Sequence, residues 1–206
     1  AVLSSRRISD EVAQARGYLS AETGKAVERL GFPASSRPVK AISRAQGDFV
    51  LAIPLYAPGE TTPTCYQARP DVPFGTGKNV PKYEVPAKAE VPSDCNPLTT
   101  QRGWTFDLDV PVILTEGPLK ADSILSAAIE HDTPVCPIGL IGVTAGRTRN
   151  KMLAERFIAP DVQQVCVPGR TTMIAFDSDY RTNPNVLREL FSLASHLAER
   201  GCSVVF

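Results

Sequence analysis

The spacing of apolar and polar residues changes rhythm near position 109. Beyond it, short apolar runs alternate with stretches of helical periodicity. Residues 110–115 form an apolar run that ends in Thr115-Glu116-Gly117, which predicts a buried strand entering a turn. Residues 119–131 place Ala121, Ile124, Leu125, Ala128 and Ile129 on or near one helical face. A second strand is predicted over 134–138, followed by a Gly-rich turn over 139–146, and a short helix over 150–157. A third strand over 172–176 leads to an amphipathic helix over 185–200, with Val186, Leu190, Leu193, Ala194 and Leu197 inward and Gly201 as its stop. A fourth strand begins at 203. Repeating βα units of this length require parallel pairing and right-handed crossovers. The expected fold class is therefore α/β, a parallel sheet with flanking helices over 109–206.

The chain before 109 reads differently. Ser9 caps a helix with Asp10 and Glu11 in its first turn, and Gly17 ends it. Ser20 starts a second predicted helix with Ala21, Ala26, Val27 and Leu30 inward, stopped by Gly31 and Pro33. Residues 34–47 read as a loop. Two strands over 49–56 and 64–69, separated by a Pro58-Gly59 turn, are expected to pair. Residues 70–100 are rich in Pro and Gly, which favour edges and loops. The expected organisation is a helical lead-in over 1–33, a small α+β subdomain over 34–108, and the α/β domain over 109–206. The chain stops inside an apolar strand, which suits a piece cut from a longer protein at least as well as a natural terminus.

Composition narrows the class. A hydrophobic content of 43% suits a packed core. No apolar run reaches the ~18 residues of a transmembrane helix, and the first residues lack a signal-peptide core. Cys65, Cys95, Cys136, Cys166 and Cys202 form no CxxC pair, so neither a zinc site nor a disulfide framework is indicated. A cytoplasmic protein with no membrane partner is expected. Formal net charge is zero, but the charge is segregated. Between 107 and 132 six acids accompany only Lys120, while 37–88 and 147–156 carry an excess of Lys and Arg. An acidic centre flanked by basic segments suits metal ions beside a polyanion, and a solvated surface is the plainer alternative.

The acids supply the candidate chemistry. In an open α/β sheet, sites form at the carboxyl ends of strands. Glu116 follows the first strand of the α/β part, and Asp177 and Asp179 follow the third. Three carboxylates there suit a hard divalent cation, Mg²⁺ or Mn²⁺. Asp177 and Asp179 stand at a strand-to-loop junction, where both can reach one ion or ion pair. Glu116 also suits general acid–base work, and helix capping is the plain alternative for all three. Lys120 is placed to contact phosphate or to pair with Glu116, and Asp122 to act as an outer ligand or a surface charge. Arg147, Arg149 and Lys151 follow the Gly-rich turn, where they suit phosphate contacts or a solvated face. Gly75-Thr76-Gly77-Lys78 lacks the first Gly and the Ser/Thr of a phosphate loop. His131 and His196 share no ligand spacing, and no nucleophile is paired with a His.

Glu116-Gly117 after a strand, the Gly-rich turn, and Asp177-x-Asp179 after a later strand together resemble a TOPRIM domain, the fold shared by bacterial-type primases, topoisomerases and some nucleases. Upstream, Ile53-Pro54-Leu55, Gly59, Tyr66-Gln67-Ala68-Arg69 and Pro81-Lys82-Tyr83 look like the stretch that precedes TOPRIM in bacterial DNA primases. Thr115 to Asp122, Phe176 to Asp179 and Asn183-Pro184-Asn185-Val186 fit primase-like replication proteins of phages, plasmids and integrative elements. The likeness covers roughly residues 8–206. It implies a TOPRIM-type sheet behind a small α+β primase-like subdomain. It also implies Mg²⁺-dependent nucleotidyl transfer, that is, primer synthesis from nucleoside triphosphates on a single-stranded DNA template beside a replicative helicase. It assigns metal binding and catalysis to Glu116, Asp177 and Asp179. Arg69 and Lys82, with Lys78 assisting, would line a nucleotide or template groove, and Tyr83 would stack on a base. Three departures stand out: Lys120 occupies a position where primases carry an acid, the further acidic pair that primases carry after the fourth strand would fall beyond Phe206, and no amino-terminal zinc ribbon is present. The same fold also carries metal-dependent nucleases, and a non-catalytic nucleic-acid-binding module working with a helicase is the third possibility.

Overall fold

The computed structural model describes residues 2–44, 49–72, 80–149, 156–177 and 181–205. Helices α1 (Val2–Ser5) and α2 (Asp10–Arg16) open the chain. Ser9 Oγ accepts the Val12 N–H at 3.4 Å, the cap its position predicts. Next come β1 (Leu19–Ala21), α3 (Gly24–Glu28), α4 (Arg37–Arg44), β2 (Val50–Leu55) and β3 (Cys65–Pro70). They are followed by β4 (Asp94–Cys95), α5 (Pro97–Gln101), β5 (Val112–Glu116), α6 (Pro118–Glu130), β6 (Cys136–Leu140), β7 (Arg147–Arg149) and β8 (Arg156–Ile158). The last elements are α7 (Pro160–Val165), β9 (Thr171–Ala175), α8 (Pro184–Glu199) and β10 (Ser203–Val205). No helix among the described residues is long and apolar enough to cross a membrane.

Two compact units result. One comprises residues 1–15, 56–61 and 92–206, and the other 16–55 and 62–91. The 1–33 segment is thus shared between them.

In the smaller unit, β2 pairs antiparallel with β1 on one side and β3 on the other. Pro54 is tolerated inside β2 because β1 pairs only with residues 50–52. Its carbonyl accepts a 2.9 Å bond from the buried Arg16 guanidinium. The helix expected from Ser20 is corrected here. Residues 19–21 are a strand, and the helix starts only after Thr23, whose Oγ1 accepts the Ala26 N–H at 3.2 Å. Both Ser20 and Thr23 are cap-type residues, and pairing with β2 decides between them. The loop expected over 34–47 is corrected as well, because α4 lies within it. Pro38 sits in the first turn, where a missing N–H costs no intrahelical bond, and Val39, Ala41 and Ile42 are buried.

The larger unit holds a five-stranded sheet ordered β10-β9-β5-β6-β4. The first four strands are parallel, and β4 runs antiparallel at the edge. This is the α/β sheet with flanking helices that the periodicity predicts. Its core includes Val112, Leu114, Ile138, Leu140, Leu193 and Leu197, all at most 1% exposed. β5 and β6 are joined through α6, while β9 and β10 lie on the other side of β5, so strand order reverses between β5 and β9. Right-handed connections then put α6 and α8 on opposite faces.

Smaller differences have local causes. Gly139 and Leu140 complete β6 rather than starting the turn. Residues 156 and 157, expected in a helix, belong to β8, which pairs antiparallel with β7; the rest of that expected helix, 150–155, lies outside the described residues. α7 went unpredicted, and Pro160 opens it with Val162 and Val165 buried.

Gly139 bears directly on the sheet's working edge. A Cβ there would lie 2.9 Å from Gly117 C, Gly117 O and Pro118 N. The β5–α6 turn rests on bare β6 backbone, and Gly117 N–H bonds Leu140 O at 2.7 Å. Gly139→Ala is expected to cost about 1–3 kcal/mol, the usual penalty for overpacking against atoms that cannot move away. Urea denaturation checks this, and a wild-type midpoint with unchanged slope would rule out the close approach.

Candidate functional site

The site is built on β5, which like β9 has parallel neighbours on both sides. Its register sets Thr115 beside Ala175 of β9 and Glu116 beside Leu140 of β6. Thr115 Oγ1 donates to Ala175 O at 2.8 Å, tying the two strand ends together. The chain then turns at Gly117, whose φ of 81° favours glycine, and Pro118 opens α6.

Past β9 the chain leaves the sheet and passes Glu116. Asp177 N–H donates to Glu116 Oε1 at 2.8 Å. The Asp177 carboxylate meets Lys120 Nζ at 2.5 Å, and Lys120 stands on the first turn of α6. Glu116, Lys120 and Asp177 therefore meet at the switch point between β5 and β9, where open α/β sheets bind ligands. The Asp177 side chain is 58% exposed and Lys120 27%, so solvent and a ligand can reach both. Asp179 lies outside the described residues. Among the described residues no group of three His, Cys, Asp or Glu is poised to hold a metal.

Lys120 is paired with Asp177 rather than with Glu116. Asp122 is neither a surface charge nor part of this edge: it is fully buried and accepts 2.9 Å from Asn96 Nδ2. Two helical residues separate it from Lys120 by more than half a turn, which directs it inward. Asn96 also caps α5 and donates to Val12 O at 3.3 Å, so Asp122 fastens α6 to the start of the chain.

Arg147 is drawn into the fold. Its guanidinium binds Glu189 of α8 at 2.5 Å and is 8% exposed, and Arg156 binds the same carboxylate at 2.9 Å. That carboxylate clamps β7 and β8 to α8, which leaves Arg147 poorly placed for a phosphate. Arg149 contributes its backbone to the β7–β8 pairing, and Lys151 lies outside the described residues.

Cys95, Cys136, Cys166 and Cys202 are buried. Hydrogen bonding with Cys95, then burial, raises Cys136 well above the ordinary thiol range. Burial pushes Cys166 up to about 12. Neither suits thiolate chemistry.

The smaller unit gathers a second group. Ala68 and Glu84 exchange backbone bonds of 2.7 and 2.9 Å, which brings the 81–85 segment alongside β3. Arg69 Cζ then sits 6.0 Å from the Tyr83 ring centroid. Arg69 Nε and Nη1 are buried, with no hydrogen-bond partner among the described residues. Lys82 is exposed, and Lys78 lies outside the described residues. Burial raises the Glu84 carboxyl, and Arg37, 3.9 Å away, pulls it back down.

A family model described as a domain of unknown function, DUF3854, matches residues 103–206, half of the chain. The chain belongs to this family. The DUF3854 span carries β5, β6, β9 and β10 with Glu116, Lys120, Asp177 and Asp179, while Arg69, Lys82 and Tyr83 precede it. No curated protein matches the chain.

Two residues of the site went unread in the sequence. Thr115 closes the β5–β9 seam through its hydroxyl, and Gly139 supplies the bare backbone under the turn. A lone Thr and a Gly inside an apolar run gave no signal of either role.

Proposed function

We propose that the DUF3854 part of this chain is a TOPRIM domain and that, with the unit before it, it forms the core of a primase-like nucleotidyltransferase. The observation that carries this is the meeting of Glu116 and Asp177 at the point between β5 and β9 where their onward connections run to opposite sides of the sheet. The donor chemistry fits a hard divalent cation: carboxylate oxygens at an open sheet edge, with Asp177 more than half exposed. Glu116, Asp177 and Asp179 would hold Mg²⁺ or Mn²⁺, which when bound neutralises charge developing on phosphate oxygens.

In the proposed reaction a primer 3′-hydroxyl attacks the α-phosphate of a nucleoside triphosphate. The new bond joins that oxygen to the α-phosphorus as the hydroxyl proton passes to water, the bond to the β-phosphate oxygen breaks, and pyrophosphate leaves with the electron pair. Glu116 holds the Asp177 backbone and so sets where the Asp177 carboxylate stands. Lys120 orients that carboxylate and offers a cation to phosphate. Arg69, with two buried nitrogens that find no acceptor among the described residues, suits a phosphate of template or nucleotide, and Tyr83 beside it suits a base. Single-stranded DNA and nucleoside triphosphates are the proposed ligands, with a replicative helicase as partner.

The Lys120–Asp177 pair favours a second reading. An ammonium already neutralises one carboxylate, as in a nucleic-acid-binding module that does no chemistry.

Primer synthesis on single-stranded DNA with labelled nucleotides separates the readings, run with Mg²⁺ or Mn²⁺ for wild type, Glu116→Gln and Asp177→Asn. Metal-dependent product that both variants lose supports the primase. Cleavage of labelled DNA would replace it with a nuclease. DNA binding without product would favour the module.

A further inference from the structure

The smaller unit carries an open hollow of about 420 Å³ on the side of β3 where the strand begins. Its walls come from the turn after α3, the first residues of β3, and the 86–89 turn. Arg29 and Lys88 line it, and no carboxylate does. Neither side chain has an ion-pair partner among the described residues. Two cations on one wall without a counter-charge lower the cost of bringing in an anion.

The backbone at Lys88 is a second, independent sign. Ala89 N–H bonds Pro86 O at 3.1 Å, and Lys88 in that turn takes φ 66°. Glycine or asparagine is the residue such a position favours. A lysine held there keeps its side chain at the hollow at the expense of backbone strain, a pattern associated with ligand sites. The remaining wall is mixed: Leu30 and Tyr66, which pack against the unit's own core, and Pro86 are apolar, and Thr64 adds a hydroxyl.

We infer that this hollow binds a nucleoside phosphate, with Arg29 and Lys88 on the phosphates, and Leu30, Tyr66 and Pro86 against the base and sugar. The volume suits a mononucleotide, since small-molecule sites run from about 300 to 1,000 Å³. The site shares no residue with Glu116, Lys120 and Asp177, nor with Arg69, Lys82 and Tyr83. It is therefore a second nucleotide site, one that does not depend on the proposed activity.

Cys65 supplies the readout. It is a half-buried thiol on the wall of the hollow, whereas the other four cysteines are buried. The full chain is alkylated with N-ethylmaleimide in metal-free buffer, and Cys65 modification is timed by mass spectrometry with ADP, adenosine or pyrophosphate present. Saturating ADP is expected to slow Cys65 alkylation about fivefold, as when a ligand buries most of the wall. Arg29→Ala and Lys88→Gly are each expected to weaken this protection. Lys88→Gly also relieves the backbone strain, so it removes the cation without unfolding the turn. Glu116→Gln is expected to leave the protection intact. The inference is overturned if ADP gives no protection, if pyrophosphate protects as well as ADP, or if Glu116→Gln abolishes the effect. None of these outcomes touches the primer-synthesis reading, which is scored with metal present and on different residues.

Discussion

Arg170→Ala is expected to destabilise the larger unit by about 4 kcal/mol or more, the range reached only when buried polar groups lose their partners. Arg170 precedes β9 and is 1% exposed. Its guanidinium donates to Val110 O at 2.8 Å, Thr105 O at 2.8 Å, Val165 O at 3.0 Å and Trp104 O at 2.9 Å. Truncation would strand these carbonyls and leave a void beneath the sheet. The guanidinium also ties the 104–110 segment to the start of β9, and thereby fixes the level at which Asp177 emerges beside Glu116. Arg170→Lys is expected to recover less than half of the loss, because an ammonium cannot present the planar fork that reaches four carbonyls. Urea denaturation followed by circular dichroism measures both variants. A loss below about 1 kcal/mol for Arg170→Ala would mean that water satisfies those carbonyls equally well.

Glu116→Gln is expected to lower primer synthesis about 100- to 1,000-fold while leaving stability within about 0.5 kcal/mol of wild type. The two effects separate because of how Glu116 is used. One of its oxygens accepts the Asp177 N–H at 2.8 Å, and a glutamine carbonyl can accept the same bond. The loop after β9 therefore keeps its anchor, and only the charge is lost. Asp177→Asn is expected to act alike on activity and to release Lys120 from its ion pair. Steady-state primer synthesis together with urea midpoints checks both. Wild-type rates in Glu116→Gln would leave its carboxylate a structural anchor alone.

The α/β half was legible because its strands are short apolar runs and its helices carry one apolar stripe. Leu190, Leu193, Ala194 and Leu197 of α8 are buried as their spacing predicts. The candidate carboxylates were legible because an acid at the end of such a run has few structural reasons to be there, and Glu116 and Asp177 do meet. The smaller unit was less legible. Leu19-Ser20-Ala21 has no strand signature of its own and becomes a strand only by pairing with β2. Arg147 and Asp122 show the same limit among charges. Sequence places both near the candidate edge, but the partner that takes each inward, Glu189 for one and Asn96 for the other, is more than twenty residues away. Arg170 gave no signal, since its acceptors are backbone carbonyls, which every sequence contains.

Mn²⁺ binding by electron paramagnetic resonance, on the full chain without DNA or nucleotide, tests most directly whether the β5 and β9 strand ends form a divalent-cation centre. Wild type is expected to bind Mn²⁺, and Glu116→Gln and Asp177→Asn to bind it at least about tenfold more weakly, as expected when a cation loses one of its few carboxylate ligands. Lys120→Met is expected to bind it more tightly, because the ammonium competes for Asp177. Equal Mn²⁺ affinity in all four proteins would contradict a metal centre at this edge.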